Sequence, residues 1–246
     1  MSWINSSIAA FMPYFPKWVA KPFAKPYVAG ENIQTACEIV RILNNSGYST
    51  TLDILGEHVG SPDEAKQILN QYIDLIENIV ANKLDSTISI KLTHLGLSLD
   101  EELCEKNFSE LVEIANTHNI GITIDMENST YTKKTLELFQ KGLAIYEGVG
   151  AVIQAYLHRS LDDLIMLDSS KLNLRICKGI YNETPEIAIQ ERYAINDNFL
   201  KLTETIFNGK GYACLATHDL DLINQLEELI ANNKISKDRF EFQVLY

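Results

Sequence analysis

Apolar residues recur every three to four positions through GENIQTACEIVRILNNSG, with Ile33, Ala36, Cys37, Val40 and Ile42–Leu43 on one face and Gly47 closing the run. That spacing predicts an amphipathic helix. STTLDILGE then reads as a short strand. SPDEAKQILNQYIDLIENIVANK predicts a second helix, with Ser61 as N-cap, Pro62 at the first helical position and Glu64 at the third. STISIKLTHLGL returns to alternating β-branched residues, NFSELVEIANTHN to helix and IGITIDMEN to strand.

The alternation continues to the last residue. YTKKTLELFQKGLAIYEG predicts a helix, AVIQAYL a strand, and SLDDLIMLDSS a short helix capped by Ser160. KLNLRICKG reads as a strand, and TPEIAIQERYAINDNFLKLTETIFNGK as a longer helical segment. GYACLATHD is a strand, LDLINQLEELIANNK a helix, and FEFQVLY the last strand. Seven strands are expected, beginning near residues 51, 87, 121, 151, 172, 212 and 240. Strands alternating with helices pair in parallel through right-handed crossovers, so the class is α/β. No G-x-G-x-x-G or Walker motif follows the first strand, which favours a (β/α)8 barrel over an open, doubly wound sheet. A single strand pattern of this kind suits one barrel domain over residues 49–246, preceded by an arm and helix over 1–48.

Charge narrows the class of partner. The 246 residues carry 21 basic and 33 acidic groups, a formal net charge of −12 that repels phosphate backbones, so no nucleic acid partner is expected. The first thirty residues differ, with three lysines, four prolines, many aromatics and no acidic residue. Pro13, Pro16, Pro22 and Pro26 break any spanning helix, and two readings stay open: peripheral docking on an acidic membrane surface, or an arm packed across the domain. Cys37, Cys104, Cys177 and Cys214 are scattered, which points to reduced thiols in the cytoplasm.

Candidate chemistry gathers where strands end, the place where barrels build their sites. Asp53 and Glu57 flank the first strand, Lys91 ends the second, and Asp125 and Glu127 end the third. Gln154 and Tyr156 lie in the fourth, Arg175, Lys178 and Tyr181 along the fifth, Thr217, His218 and Asp219 at the sixth, Gln243 and Tyr246 in the seventh. Each has a plain structural reading: a lysine or arginine snorkels to water, an aspartate caps a helix, a lone histidine satisfies a hydrogen bond. Gln154 resists it, because an amide among apolar strand residues needs buried partners. Two cations, Lys91 and Arg175, on either side of a carboxylate suit an acidic substrate or an anionic cofactor. Lys178-Gly179 allows close approach of a phosphate. The five histidines show no ligand spacing and no G-x-S-x-G elbow occurs, so no metal and no serine nucleophile is expected. A Schiff-base aldolase using Lys91 or Lys178 near Asp125 is the alternative chemistry.

With these residues assembled, TLDILGEHV, TISIKLTHLGL, ITIDMENSTY, VIQAYLHRS, LRICKGIYNE, ATHD and FEFQVLY together resemble the FAD-dependent proline dehydrogenases, from about Tyr27 to the final residue. The resemblance implies a distorted barrel with FAD at the strand ends, oxidation of L-proline to pyrroline-5-carboxylate by hydride transfer to the flavin N5, and quinone as electron acceptor. It also implies a cytoplasmic protein, peripheral at the inner membrane. Lys91 would contact the proline carboxylate, Asp125 would hold that lysine, and Arg175 would sit beside N5. Met126, Gln154, Lys178, Gly179, Ile180, Thr217 and His218 would line the cofactor. Tyr181 would pack on the substrate ring and Glu57 would stand as an acidic gate.

Two departures from the pattern carry expectations. Ile180 stands where the family usually has alanine. The family also continues past the seventh strand into an eighth and a helix bearing a Tyr-x-x-Arg-Arg motif, which clamps the proline carboxylate. The barrel is therefore expected to be C-terminally truncated to about seven strands, with Lys91 as the sole carboxylate anchor and edges open at the first and seventh strands. An inactive member that keeps part of the FAD site is the second expectation.

Overall fold

The computed structural model describes residues 28–30, 32–167 and 172–245, so most of the expected N-terminal arm, and Tyr246, lie outside the described residues. Helix α1 (Ile33–Asn45) leads into strand β1 (Thr50–Asp53), and six further units follow: α2 (Pro62–Ala81), β2 (Ser86–Ile90), α3 (Glu101–His118), β3 (Ile122–Ile124), α4 (Ser129–Ile145), β4 (Val149–Gln154), α5 (Ser160–Met166), β5 (Asn173–Cys177), α6 (Arg192–Asn208), β6 (Tyr212–Ala216), α7 (Leu220–Asn232) and β7 (Phe240–Gln243). The seven strands form one parallel sheet in the order β1-β2-β3-β4-β5-β6-β7, curled into an incomplete barrel. The expected α/β class and all seven strands are present.

The pleat explains the curl's two faces. Successive strand residues point to opposite sides. Leu52, Ile88, Ile90, Ile122, Ile124, Ala151, Ile153, Leu174, Ile176, Ala213 and Leu215 share one face by register, and this face packs under the helices in the main core. Each such Leu or Ile withdrawn from water contributes about 1.5–3 kcal/mol. The other face is polar. It carries Thr51 and Asp53, Thr87 and Ser89, Thr123, Gln154, Asn173 and Arg175, Tyr212, Glu241 and Gln243. A strand buried beneath helices on one side and polar on the other builds a lumen that can hold a ligand.

Several helix boundaries differ from expectation for identifiable reasons. Helix α2 begins as predicted, with Ser61 accepting from the Glu64 N–H at 3.2 Å and Glu64 accepting from the Gly60 N–H at 2.7 Å. Helix α3 starts six residues before NFSELVEIANTHN, because Asp100 accepts from the Leu103 N–H at 2.7 Å and Glu101 and Glu102 favour the first turn. Ser160 does not cap α5; its hydroxyl donates to the Gln154 carbonyl at 2.5 Å. Residues 184–191 are not helical. They lie back against the β4 exit, where the His158 N–H donates to Ile187 O at 3.0 Å and the Ile189 N–H to Tyr156 O at 2.7 Å. Those bonds use the groups a helix would need. On α1, Ile42 faces water, and Cys37 and Val40 supply the buried contact.

Candidate functional site

The register dictates which side chains meet. Ile90 pairs with Ile124, so Lys91 stands beside Asp125 one step further on, and Val152 pairs with Arg175. Asp53 closes β1 beside Ser89. Asp53, Lys91, Asp125 and Arg175 share the polar face, and they form a continuous chain. Lys91 Nζ lies 2.6 Å from Asp53 Oδ2 and 3.5 Å from Asp125 Oδ2. Asp125 Oδ1 accepts from Arg175 Nη1 at 2.8 Å, and Arg175 Nε donates to Gln243 Oε1 at 2.6 Å. Tyr72, fully buried on α2, donates its hydroxyl to Asp53 Oδ1 at 3.3 Å.

Electrostatics follow from that chain. Lys91 and Arg175 are both only 15% exposed at their side chains, so their charges need partners. Two carboxylates and two cations sum to zero. Loss of water pulls the Lys91 ammonium down, but the charge and hydrogen bond of Asp53, with Asp125 behind, outweigh it and hold Lys91 above its ordinary value. Partial withdrawal from water pushes the Asp53 carboxyl up, against the pull of Lys91, and nearby Asp125 adds to the rise.

Around this centre stand the remaining expected residues. Gln154 is buried at the end of β4; its amide nitrogen donates to Met126 O at 3.0 Å and Glu127 O at 2.8 Å, while its Oε1 has no partner among the described residues. Met126 is buried beside it. Gly179 follows β5 with φ of +109°, and a Cβ there would fall 2.2 Å from the Tyr156 ring. Only glycine suits that position. Lys178 pairs with Asp219, which also accepts from Arg192 Nη2 at 2.8 Å and from Asn196 Nδ2 at 3.3 Å. Thr217 accepts from the Asp219 N–H at 3.1 Å, and His218 lies exposed, its Nε2 accepting from the Leu245 N–H at 3.1 Å. Tyr181 donates to Glu57 at 2.7 Å, joining the exits of β5 and β1. Burial and the Glu57 carboxylate both push the Tyr181 phenol well above its usual range. Ile180 is 89% exposed.

Tyr72 is not a candidate from the sequence, and the partners of Asp53, Glu127 and Gln243 are not evident there. Tyr72 reads there as one more residue of an apolar helix stripe. Gln243 and Asp53 were visible at strand ends, but nothing assigned them partners. Glu127 is 1% exposed; Thr93 donates to it through its N–H at 3.0 Å and through its hydroxyl, and burial pushes its carboxyl up against those two bonds. Tertiary folding also brings His58 beside Glu57 and Glu127, with possible ligand atoms within 4.8 Å of one another, a grouping that histidine spacing along the chain does not reveal.

The residues fit a flavin on their own chemistry. Gln154 Oε1 is a buried acceptor lacking a donor, as the ring edge of an isoalloxazine would supply. Gly179 packs its backbone against the Tyr156 ring, so that the chain can turn away from the end of β5 at this point.

A profile of the family described as proline dehydrogenase matches residues 36–246. The chain belongs to the proline dehydrogenase family. It is 36% identical over 223 residues to proline dehydrogenase 1 of Bacillus subtilis subsp. natto, covering 91% of this chain and 74% of that protein. It is 34% identical over 228 residues to the proline dehydrogenase of Deinococcus radiodurans, again covering 91% of this chain and 74% of the relative. Among solved structures, proline utilization A from Bdellovibrio bacteriovorus inactivated by N-propargylglycine superposes with a TM-score of 0.85 at 20% identity. That match covers 94% of this chain and 29% of that one, and it establishes the shared fold. Membership of this family makes the protein an oxidoreductase.

Proposed function

We propose that this protein oxidises L-proline to pyrroline-5-carboxylate with FAD as the hydride acceptor and a quinone as the final electron acceptor. The observation that carries the reading is Lys91, an ammonium held by Asp53 and Asp125 inside a polar lumen and left with a donor for an incoming carboxylate. Lys91 and Arg175 face the lumen as two cations held by Asp53 and Asp125, which suits a substrate that carries a carboxylate. The printed names of the relatives agree with this substrate.

Each residue then has a task. Lys91 binds the proline carboxylate, and Asp125 holds Lys91 and Arg175 together. Arg175 places a fixed positive charge where electron density accumulates on reduction, which lowers the barrier without reorganisation. Gln154, Met126, Lys178, Gly179, Thr217 and His218 hold the cofactor, and Ile180 borders its path from the exposed side. Tyr181 and Glu57 cover the substrate and exclude water. When bound, the flavin supplies a two-electron sink for the hydride that leaves proline as its carbon–nitrogen bond becomes double.

A Schiff-base aldolase needs a neutral lysine amine. Lys91 is held in its charged form by Asp53, and Lys178 is engaged by Asp219, so both candidates are poor nucleophiles. A quinone acceptor would bring the protein from the cytoplasm to the inner-membrane surface. Among the described residues no helix is long and apolar enough to cross a membrane.

The test is steady-state turnover of FAD-loaded protein with L-proline and a soluble quinone, with the product trapped by o-aminobenzaldehyde. Quinone reduction matched by trapped product supports the reading. Flavin binding without turnover would favour an inactive family member instead, and absence of flavin binding would sink the cofactor assignment.

A further inference from the structure

We infer that Asp53, anchored from behind by Tyr72, is a positioning residue that fixes where the Lys91 ammonium points and so sets the affinity for the substrate carboxylate; this rests on the proline-oxidising reading above. The geometry begins at the helix layer. Tyr72 is fully buried on α2, and its hydroxyl reaches Asp53 Oδ1 at 3.3 Å. The other carboxylate oxygen, Oδ2, receives the Lys91 ammonium at 2.6 Å. One aspartate therefore ties a rigid helix to the most flexible cation of the lumen. The second carboxylate near Lys91, Asp125, is farther at 3.5 Å and is already committed to Arg175 at 2.8 Å. Asp53 is thus the group that decides the direction of the lysine stem.

A lysine carries four rotatable bonds, and an unanchored ammonium samples many positions. With one N–H held by Asp53 and one aimed at Asp125, the third has a single remaining direction, across the lumen. Tyr72 contributes by denying Asp53 rotation about its own side chain. The charged and titratable groups acting on Lys91 are Asp53, Asp125 and Glu57, with Tyr72 bonded to Asp53 and His94 close enough to feel the lysine charge.

The arrangement predicts a division of effects. Loss of the anchor weakens substrate binding and leaves the hydride step, set by the cofactor and Arg175, largely intact. Asp53→Asn preserves shape and removes the charge, and Tyr72→Phe preserves the buried ring and removes one hydroxyl. In both, KM for L-proline rises, by about tenfold in Asp53→Asn and about threefold in Tyr72→Phe, with kcat within about twofold of the parent. Lys66→Ala, which breaks only the surface pair with Glu110 from the same helix, leaves both constants unchanged.

A second readout does not depend on turnover. Lys91 acetylation by acetic anhydride at about pH 9, followed by peptide mass spectrometry, reports the fraction of neutral amine. The lysine should react slowly in the parent and about tenfold faster in Asp53→Asn, since the Asp53 charge and hydrogen bond that favour its protonated form are gone. Unchanged KM, an unchanged labelling rate, or a KM increase that Lys66→Ala reproduces would overturn the positioning role. If the parent oxidises no proline while the labelling difference persists, the substrate reading fails and the anchoring of Lys91 by Asp53 stands.

Discussion

Arg175 donates to Asp125 at 2.8 Å across the lumen, from the middle of β5 to the exit of β3. The two residues are fifty positions apart in the chain and meet because Ile124 pairs with Ala151, and Val152 with Arg175, in successive ladders. Asp125→Ala would leave two cations, Arg175 and Lys91, facing each other with one carboxylate fewer. Breaking a buried charge pair from one side typically costs about 3–5 kcal/mol of stability, and with Lys91 and Arg175 no longer held by a shared carboxylate kcat/KM with proline should fall by about 10²-fold or more. Steady-state kinetics on a variant that retains its FAD spectrum check this.

Gln154 tests the cofactor assignment from a different strand. Gln154→Leu fills much of the same space but removes both the donor to Met126 O and Glu127 O and the unpartnered Oε1. The two carbonyls then lose their donor, which costs about 1–3 kcal/mol of stability. FAD affinity should fall by about tenfold or more, read by fluorescence titration of apoprotein. Unaltered FAD affinity in a folded variant would remove Gln154 from the flavin site.

Gly179→Ala should be damaging beyond its size. The backbone there has φ of +109°, and the added methyl would meet the Tyr156 ring at 2.2 Å. Strained backbone of this kind costs about 1–3 kcal/mol, and displacement of Tyr156 adds to it. The melting temperature and the retained flavin should drop together, as measured by calorimetry and absorbance on the same sample.

Acid stability should depend on Asp219. Its hydrogen bond with Lys178 holds the carboxyl well below the usual carboxylate range; burial opposes this, and the bonds from Arg192 and Asn196 add to the lowering. A folded value below the unfolded one means the stabilisation is fully present above about pH 4 and is lost as pH falls through the folded value. Urea midpoints between neutral pH and about pH 3 should therefore fall less steeply in Asp219→Asn than in the parent. Equal slopes would contradict the pairing.

The strands were legible because their residues alternate or cluster as β-branched runs, and Lys91, Asp125 and Gln154 at their C-terminal ends and Arg175 within β5 stand out as polar residues where polarity is hard to satisfy. Partnerships were not legible. Asp53 and Lys91 stand thirty-eight positions apart, Tyr181 and Glu57 a hundred and twenty-four, and only the register and the curl make them neighbours. Tyr72 was hidden because its ring obeys the apolar stripe of α2 while its hydroxyl serves the lumen. Residues 184–191 were misread for a related reason: their apolar spacing suits a helix, but the β4 exit offers backbone partners that a local pattern cannot anticipate.

On the proposed function, electrons pass from L-proline to a bound flavin while Lys91 holds the carboxylate. Anaerobic titration of the FAD-loaded protein tests it most directly, with L-proline in one arm and L-proline methyl ester in the other. The account predicts full bleaching of the flavin band by L-proline and, at equal concentration, bleaching by the ester only at about hundredfold or lower apparent affinity, since the ester lacks the charge that Lys91 receives. A flavin that L-proline leaves oxidised, or that both compounds reduce equally well, would contradict it.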